Sequence, residues 1–125
     1  MQEISWHVEL LLNSGKLEEF EKLSAEMAKC ARNEKGTLYF ERYISDDNNL
    51  IHVYERYADS QSAIDHLIFF KDNFSEKFSK LVVRQKFVVY GTPNEELREI
   101  LNYFGAESYM QPIIMIANRD DLKNR

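Results

Sequence analysis

The residues Ile51-His52-Val53-Tyr54-Glu55-Arg56-Tyr57-Ala58-Asp59-Ser60 constrain the fold more than any other segment of this chain. An apolar and aromatic strand runs into Asp59, a residue type whose side chain accepts hydrogen bonds from the free N–H groups at a helix start. Beyond it Ala63 and His66 fall at helical spacing. The chain must therefore pass from sheet to helix at Asp59, and the helix carries a histidine about two turns in.

The other elements can be read outward from that step. Residues 4–12 form a strand with Trp6, Val8, Leu10 and Leu12 on one face and Ser5, His7, Glu9 and Leu11 on the other. Asn13-Ser14-Gly15 marks a turn. In 16–32 the apolar residues Leu17, Phe20, Leu23, Met27 and Cys30/Ala31 recur at helical spacing. Gly36 suits a left-handed position after this helix. Residues 37–45 and 50–58 form two strands joined by Asp46-Asp47-Asn48-Asn49, an antiparallel hairpin. The helix from Ser60 runs to about Phe69. A second helical stretch follows, with Phe70, Phe74, Phe78 and Leu81/Val82 on its stripe and a break expected near 71–73. Residues 85–91 form a fourth strand. The order β-α-β-β-α-β is the ferredoxin-like arrangement, an α+β class with an antiparallel sheet. Thr92-Pro93-Asn94-Glu95 then opens a further helix, with a capping-box pattern and Pro93 at its first position. Gly105 ends that helix. Residues 109–116 read as an extra strand or a buried arm, and 118–125 as a polar tail that frays. The chain divides into a ferredoxin-like domain, 1–92, and a C-terminal helix and arm, 93–125, that extend the same domain.

The strands carry apolar residues on both faces. Leu38, Phe40 and Ile44 oppose Tyr39, Glu41 and Tyr43, and Ile51, Val53 and Tyr57 oppose Leu50, Tyr54 and Ala58. Two helices cover only one face of such a sheet. The open face is expected to pack on a second copy of the chain, giving a homodimer; the alternative is that the C-terminal segment folds back over it. A net charge of -5 argues against a nucleic-acid partner, which would require a basic surface. No run approaches the roughly 18 apolar residues of a membrane span. No basic-then-apolar leader opens the sequence, and a single cysteine, Cys30, excludes an internal disulfide. A cytoplasmic setting is expected.

Several residues together resemble the antibiotic biosynthesis monooxygenase family, including its quinol monooxygenase type. They are Gly36-Thr37-Leu38, Phe40-Glu41, Tyr54-Glu55-Arg56-Tyr57, and Asp59, Ala63 and His66. The resemblance covers residues 4–91. It implies a dimeric α+β barrel and oxidation of a flat phenolic or quinol-like molecule by O2, with no metal or flavin cofactor. Other members degrade haem or isomerise a signalling sugar, so the fold implies a kind of pocket rather than one reaction. Haem-degrading relatives use an asparagine on the first strand, a tryptophan and a histidine. Here Tyr57 aligns with that tryptophan and Phe74-Ser75 with that histidine, which argues against haem degradation.

With that resemblance, His66 is the candidate catalytic residue: a neutral imidazole able to take a phenol's proton. The plain alternative is a helix-surface histidine or one satisfied by a backbone carbonyl. Trp6, Tyr54, Tyr57 and Glu55 are candidate substrate-binding residues. Tyr54 and Tyr57 lie on opposite strand faces, so only one of them lines a given cavity. Core packing is the competing role for both tyrosines and for Trp6, and an ordinary salt link for Glu55 or Arg56. A metal cofactor has no HxxxH or HxH motif here. Only His7 and His52, with Glu9 or Glu41, would be brought together by neighbouring strands. Two functions remain open: a cofactor-independent monooxygenase, or a non-catalytic small-molecule-binding or structural dimer of the same fold.

Overall fold

A computed structural model describes residues 3–115. In chain order its elements are β1 (Ile4–Leu12), α1 (Leu17–Ala31), β2 (Thr37–Ile44), β3 (Leu50–Tyr57), α2 (Ser60–Asn73), α3 (Ser75–Leu81), β4 (Val82–Tyr90), α4 (Glu95–Tyr103) and β5 (Ser108–Met110). The sheet runs β2-β3-β1-β4-β5. Its first four strands pair antiparallel, as the ferredoxin-like reading requires. β5 joins β4 in parallel, so the complete sheet is mixed.

Local chemistry explains most boundaries. Asp59 accepts a hydrogen bond from the Ser62 amide at 2.8 Å and caps α2. The break between α2 and α3 falls at Phe74, one residue beyond the expected window. β4 begins three residues earlier than its sequence pattern indicates. Leu81 closes α3, whereas Val82, read as helical, is already extended. α4 is capped by Asn94, whose side chain accepts from the Leu97 amide at 2.8 Å; Pro93 therefore precedes the cap and does not open the helix. Gly105, at φ +96°, ends α4 in the left-handed region. Gly36 has no such backbone. A Cβ there would stand 1.9 Å from Ser62 Oγ, so it is the close approach of α2 that requires glycine.

The helices cover one face of the sheet over two adjoining apolar clusters. One joins Leu10, Ile51 and Val53 to Phe20, Leu23 and Met27 of α1. The other joins Ile4, Trp6 and Tyr57 to Ile64 of α2 and to Leu97 and Leu101 of α4. The C-terminal helix thus shares the core of the β-α-β-β-α-β unit. After β5 the chain does not become a buried arm: Ile113 and Ile114 are exposed, and residues 116–125 lie outside the described part. Among the described residues no helix is long and apolar enough to cross a membrane.

Candidate active site

Between the helix layer and the sheet lies a cavity of about 280 Å³. Trp6, Phe70, Phe78, Phe87 and Phe104 supply aromatic wall, and Glu55, His66 and Arg42 form a charged end. Each charged residue arrives for a local reason. β3 alternates, so Glu55 points inward between Val53 and Tyr57. Trp6 is its direct cross-strand partner on β1. His66 comes down from α2 between Ala63, Ile64 and Leu67, all of them buried.

Glu55 is the centre of the group. Only 4% exposed, it accepts hydrogen bonds at Oε1 from Trp6 Nε1 (3.0 Å) and from the Tyr57 hydroxyl (2.7 Å). Its Oε2 lies 2.8 Å from Arg42 Nη1. Burial alone would raise its pKa. The Arg42 guanidinium, His66 and the Tyr57 hydroxyl outweigh burial and hold the carboxyl well below the usual range. Tyr57 is affected in the opposite direction, because burial and then the adjacent Glu55 charge push its phenol upward.

His66 lies between two carboxylates. Nδ1 is 2.9 Å from Glu34 Oε1, which also accepts from Thr37 Oγ1 at 2.7 Å. Nε2 is 3.5 Å from Glu55 Oε1, longer than a well-formed hydrogen bond. Burial opposes the charged ring, but Glu34 and Glu55 together prevail and raise its pKa to about 9. At neutral pH His66 is therefore an imidazolium. This corrects the neutral imidazole expected from sequence: a general base needs its free form near working pH, and the carboxylates deny it that form.

Arg42 completes the end wall. Its guanidinium stacks 3.7 Å from the centre of the Phe40 ring. Although Nη1 is paired in charge with Glu55, its N–H is not aligned on the carboxylate. Nε and Nη1 are both buried without a hydrogen-bond partner among the described residues. Two cationic donors, Arg42 and His66 Nε2, thus border the cavity with hydrogen-bonding capacity left over.

Trp6, Glu55 and His66 line the cavity together. Tyr57 is not in the lining; fully buried, it supports Glu55 from below. Tyr54 departs further from its expected place. It lies on the opposite face of the sheet, where its hydroxyl accepts from Arg56 Nη1 at 3.1 Å. Arg56 is ion-paired to Glu3 there, an ordinary salt link on the face away from the cavity. Arg42 and Glu34 were missed in the sequence. A signal for Arg42 existed: strict alternation places it on the Phe40 face of β2, a charge among inward-facing apolar residues. Glu34 sits in the turn before β2, and no local pattern reveals that α2 will pass over it.

The sequence model of the antibiotic biosynthesis monooxygenase family matches residues 4–67. No curated protein matches the sequence. Among solved structures, MupZ from Pseudomonas fluorescens has a TM-score of 0.81 at 20% identity, over 96% of this chain and 98% of MupZ. A conserved protein from Methanosarcina mazei Go1 follows at 0.64 and 19%, over 72% of this chain and 92% of its own. SnoaB, a cofactor-independent oxygenase from Streptomyces nogalater, reaches 0.63 at 13%, over 75% of this chain and 96% of SnoaB. At such identities the likeness concerns the fold. The family match spans more than half of the chain and contains the whole of β3 and the start of α2, and on it this protein belongs to the antibiotic biosynthesis monooxygenase family.

Proposed function

We propose that this protein is a cofactor-independent monooxygenase that oxidises a flat phenolic or quinol-like molecule with O2. The observation that carries the reading is the aromatic cavity ending in two cationic donors with spare hydrogen-bonding capacity, His66 Nε2 and Arg42. Family membership and the likeness to a cofactor-independent oxygenase support it. In this role His66 is a charge stabiliser, not a base. A phenol or enol bound with its oxygen toward His66 and Arg42 ionises more readily, because the anion gains both donors in a site screened from water. Its proton leaves to solvent. The anion passes one electron to O2, and the resulting radical pair recombines at carbon as a hydroperoxide. Loss of water then leaves a carbonyl. A proton returned from solvent completes the hydroperoxide; one oxygen atom ends in the product, and the other departs as water with that proton and the single hydrogen of the oxidised carbon.

Oxygen uptake against a panel of hydroquinones and anthrones tests this reading. Turnover should fall by about 100-fold or more in His66→Ala. It should fall less in His66→Gln, which keeps a donor without the charge. Because the charged ring is lost as pH rises through about 9, the wild-type rate should decline across that pH. A rate that climbs there instead would restore the neutral-base role. Absence of uptake with every compound would favour the non-catalytic binding protein.

The same reading includes a homodimer through the open sheet face. Leu11, Tyr39, Tyr43, Val83 and Tyr90 are exposed on that face, more apolar surface than a lone sheet comfortably presents to water. Sedimentation equilibrium at micromolar concentration should give twice the 14.8 kDa chain mass. A single-chain mass would discard the dimer.

A further inference from the structure

Two of the three histidines in the chain are not in the cavity. His7 and Glu9 are two residues apart on β1, which puts both side chains on the open face of the sheet. His52 on β3 is the direct cross-strand partner of Glu9. The three side chains converge: His7 Nε2 lies 3.0 Å from Glu9 Oε2, the two imidazole rings meet edge to face with centres 4.8 Å apart, and one ligand atom from each residue falls within 4.8 Å of the others. All three are half-buried. The hydrogen bond between His7 and Glu9 accounts for those two residues. It leaves His52 unexplained, since its ring makes no hydrogen bond among the described residues and packs edge to face with another imidazole. Glu41, the other acid considered for this grouping, instead accepts from Tyr43 at 2.8 Å.

We propose that His7, Glu9 and His52 form a binding site for a divalent transition-metal ion of the zinc and cobalt type. Two imidazoles and one carboxylate are the donor set such ions take, whereas calcium and magnesium require a shell of oxygens. In a tetrahedral zinc site the ligand atoms stand about 3.3 Å apart, given metal–nitrogen bonds of about 2.0–2.1 Å. The present spread is up to 4.8 Å, and the backbone places His52 directly opposite Glu9, so closing to that spacing asks for side-chain rotation and no change of strand register. Opposite the Glu9–Leu10 step the neighbouring strand β4 carries an extra residue, Gln85, so the irregularity lies on β4 and leaves the β1–β3 pairing that holds the three residues regular. Among the described residues Lys86, opposite Glu9 on β4, is a cation facing the group, and its flexible stem lets its charge swing away from the ligands. Three protein ligands leave a fourth position that points out of the sheet face proposed above to meet a second copy, and the ion ties β1 to β3 on the side of the sheet away from the cavity.

The test is calorimetric titration of the chelator-stripped full chain with Zn2+, alongside Co2+ followed by its visible absorption. One ion per chain is expected. His52→Ala and Glu9→Ala should each weaken binding by about 100-fold or more, since loss of a ligand exceeds the roughly 10–100-fold cost of losing an outer-shell partner. His66→Ala should bind as the wild type does. In the unmutated chain, Co2+ should shift the ring proton signals of His7 and His52 far more than those of His66, a readout that does not depend on any variant folding. Absence of stoichiometric binding would overturn the site. So would equal affinity in His52→Ala and Glu9→Ala, or cobalt shifts centred on His66. The oxidation proposed for the cavity stands or falls separately, because oxygen uptake is measured on the stripped protein.

Discussion

Glu55→Ala is expected to destabilise the protein by about 3–5 kcal/mol, the usual cost of removing one partner from a buried charge pair. The loss has several parts. Arg42 and the His66 imidazolium lose their shared counter-charge, and the buried Trp6 indole and Tyr57 hydroxyl lose their acceptor. Glu55→Gln keeps an acceptor while removing the charge, so it should recover part of the loss. Urea denaturation measures both, and a change below about 1 kcal/mol in Glu55→Ala would show that the network contributes little to the fold.

The same group sets how stability varies with pH. His66 is raised from 6.5 to about 9 in the fold, so its contribution is complete below about 6.5 and is lost as pH rises through about 9. Glu55 is lowered, so its contribution is present above its ordinary value of 4.5 and is lost as pH falls toward the depressed folded value. Wild-type stability should therefore form a plateau from mildly acidic to mildly alkaline pH, and Glu55→Ala should lower it. With Glu34 as its one remaining carboxylate, His66 should also titrate at lower pH in that variant by proton NMR.

Leu101→Ala is the second large effect. Leu101 and Leu97 are fully buried in the cluster that holds Trp6 and Tyr57, so truncation should cost about 2–5 kcal/mol. Trp6, the single tryptophan, lies in that cluster and reports on it directly. Its fluorescence and the far-ultraviolet circular dichroism should move together in one transition, shifted to lower urea in the variant. A change under about 1 kcal/mol, or early loss of helix with Trp6 unperturbed, would make α4 an appendage outside the shared core.

Much of this is legible in the amino-acid sequence. Strand and helix periods, the Asp59 cap and the short hairpin turn are local signals, and they specify the β-α-β-β-α-β order. Local signals also had limits. Gly36 reads as a left-handed residue when only its neighbours are considered, yet its constraint comes from Ser62, far along the chain. The end of α3 was blurred because Leu81 and Val82 suit a buried helix stripe and a buried strand equally well.

For the site, the sequence by itself supplied the parts: a histidine two turns into α2, a glutamate flanked by aromatic residues on β3, and a tryptophan on β1. Only the tertiary structure decided what those parts are. It carried Glu34 and Glu55 to opposite sides of one imidazole, turned Arg42 inward over Phe40, and sent Tyr54 to the far face. The physical reason is that ionisation depends on distance and burial. Residue type and spacing indicate which groups can carry charge, but the charge His66 holds at neutral pH comes from two carboxylates that the chain brings to it only by folding.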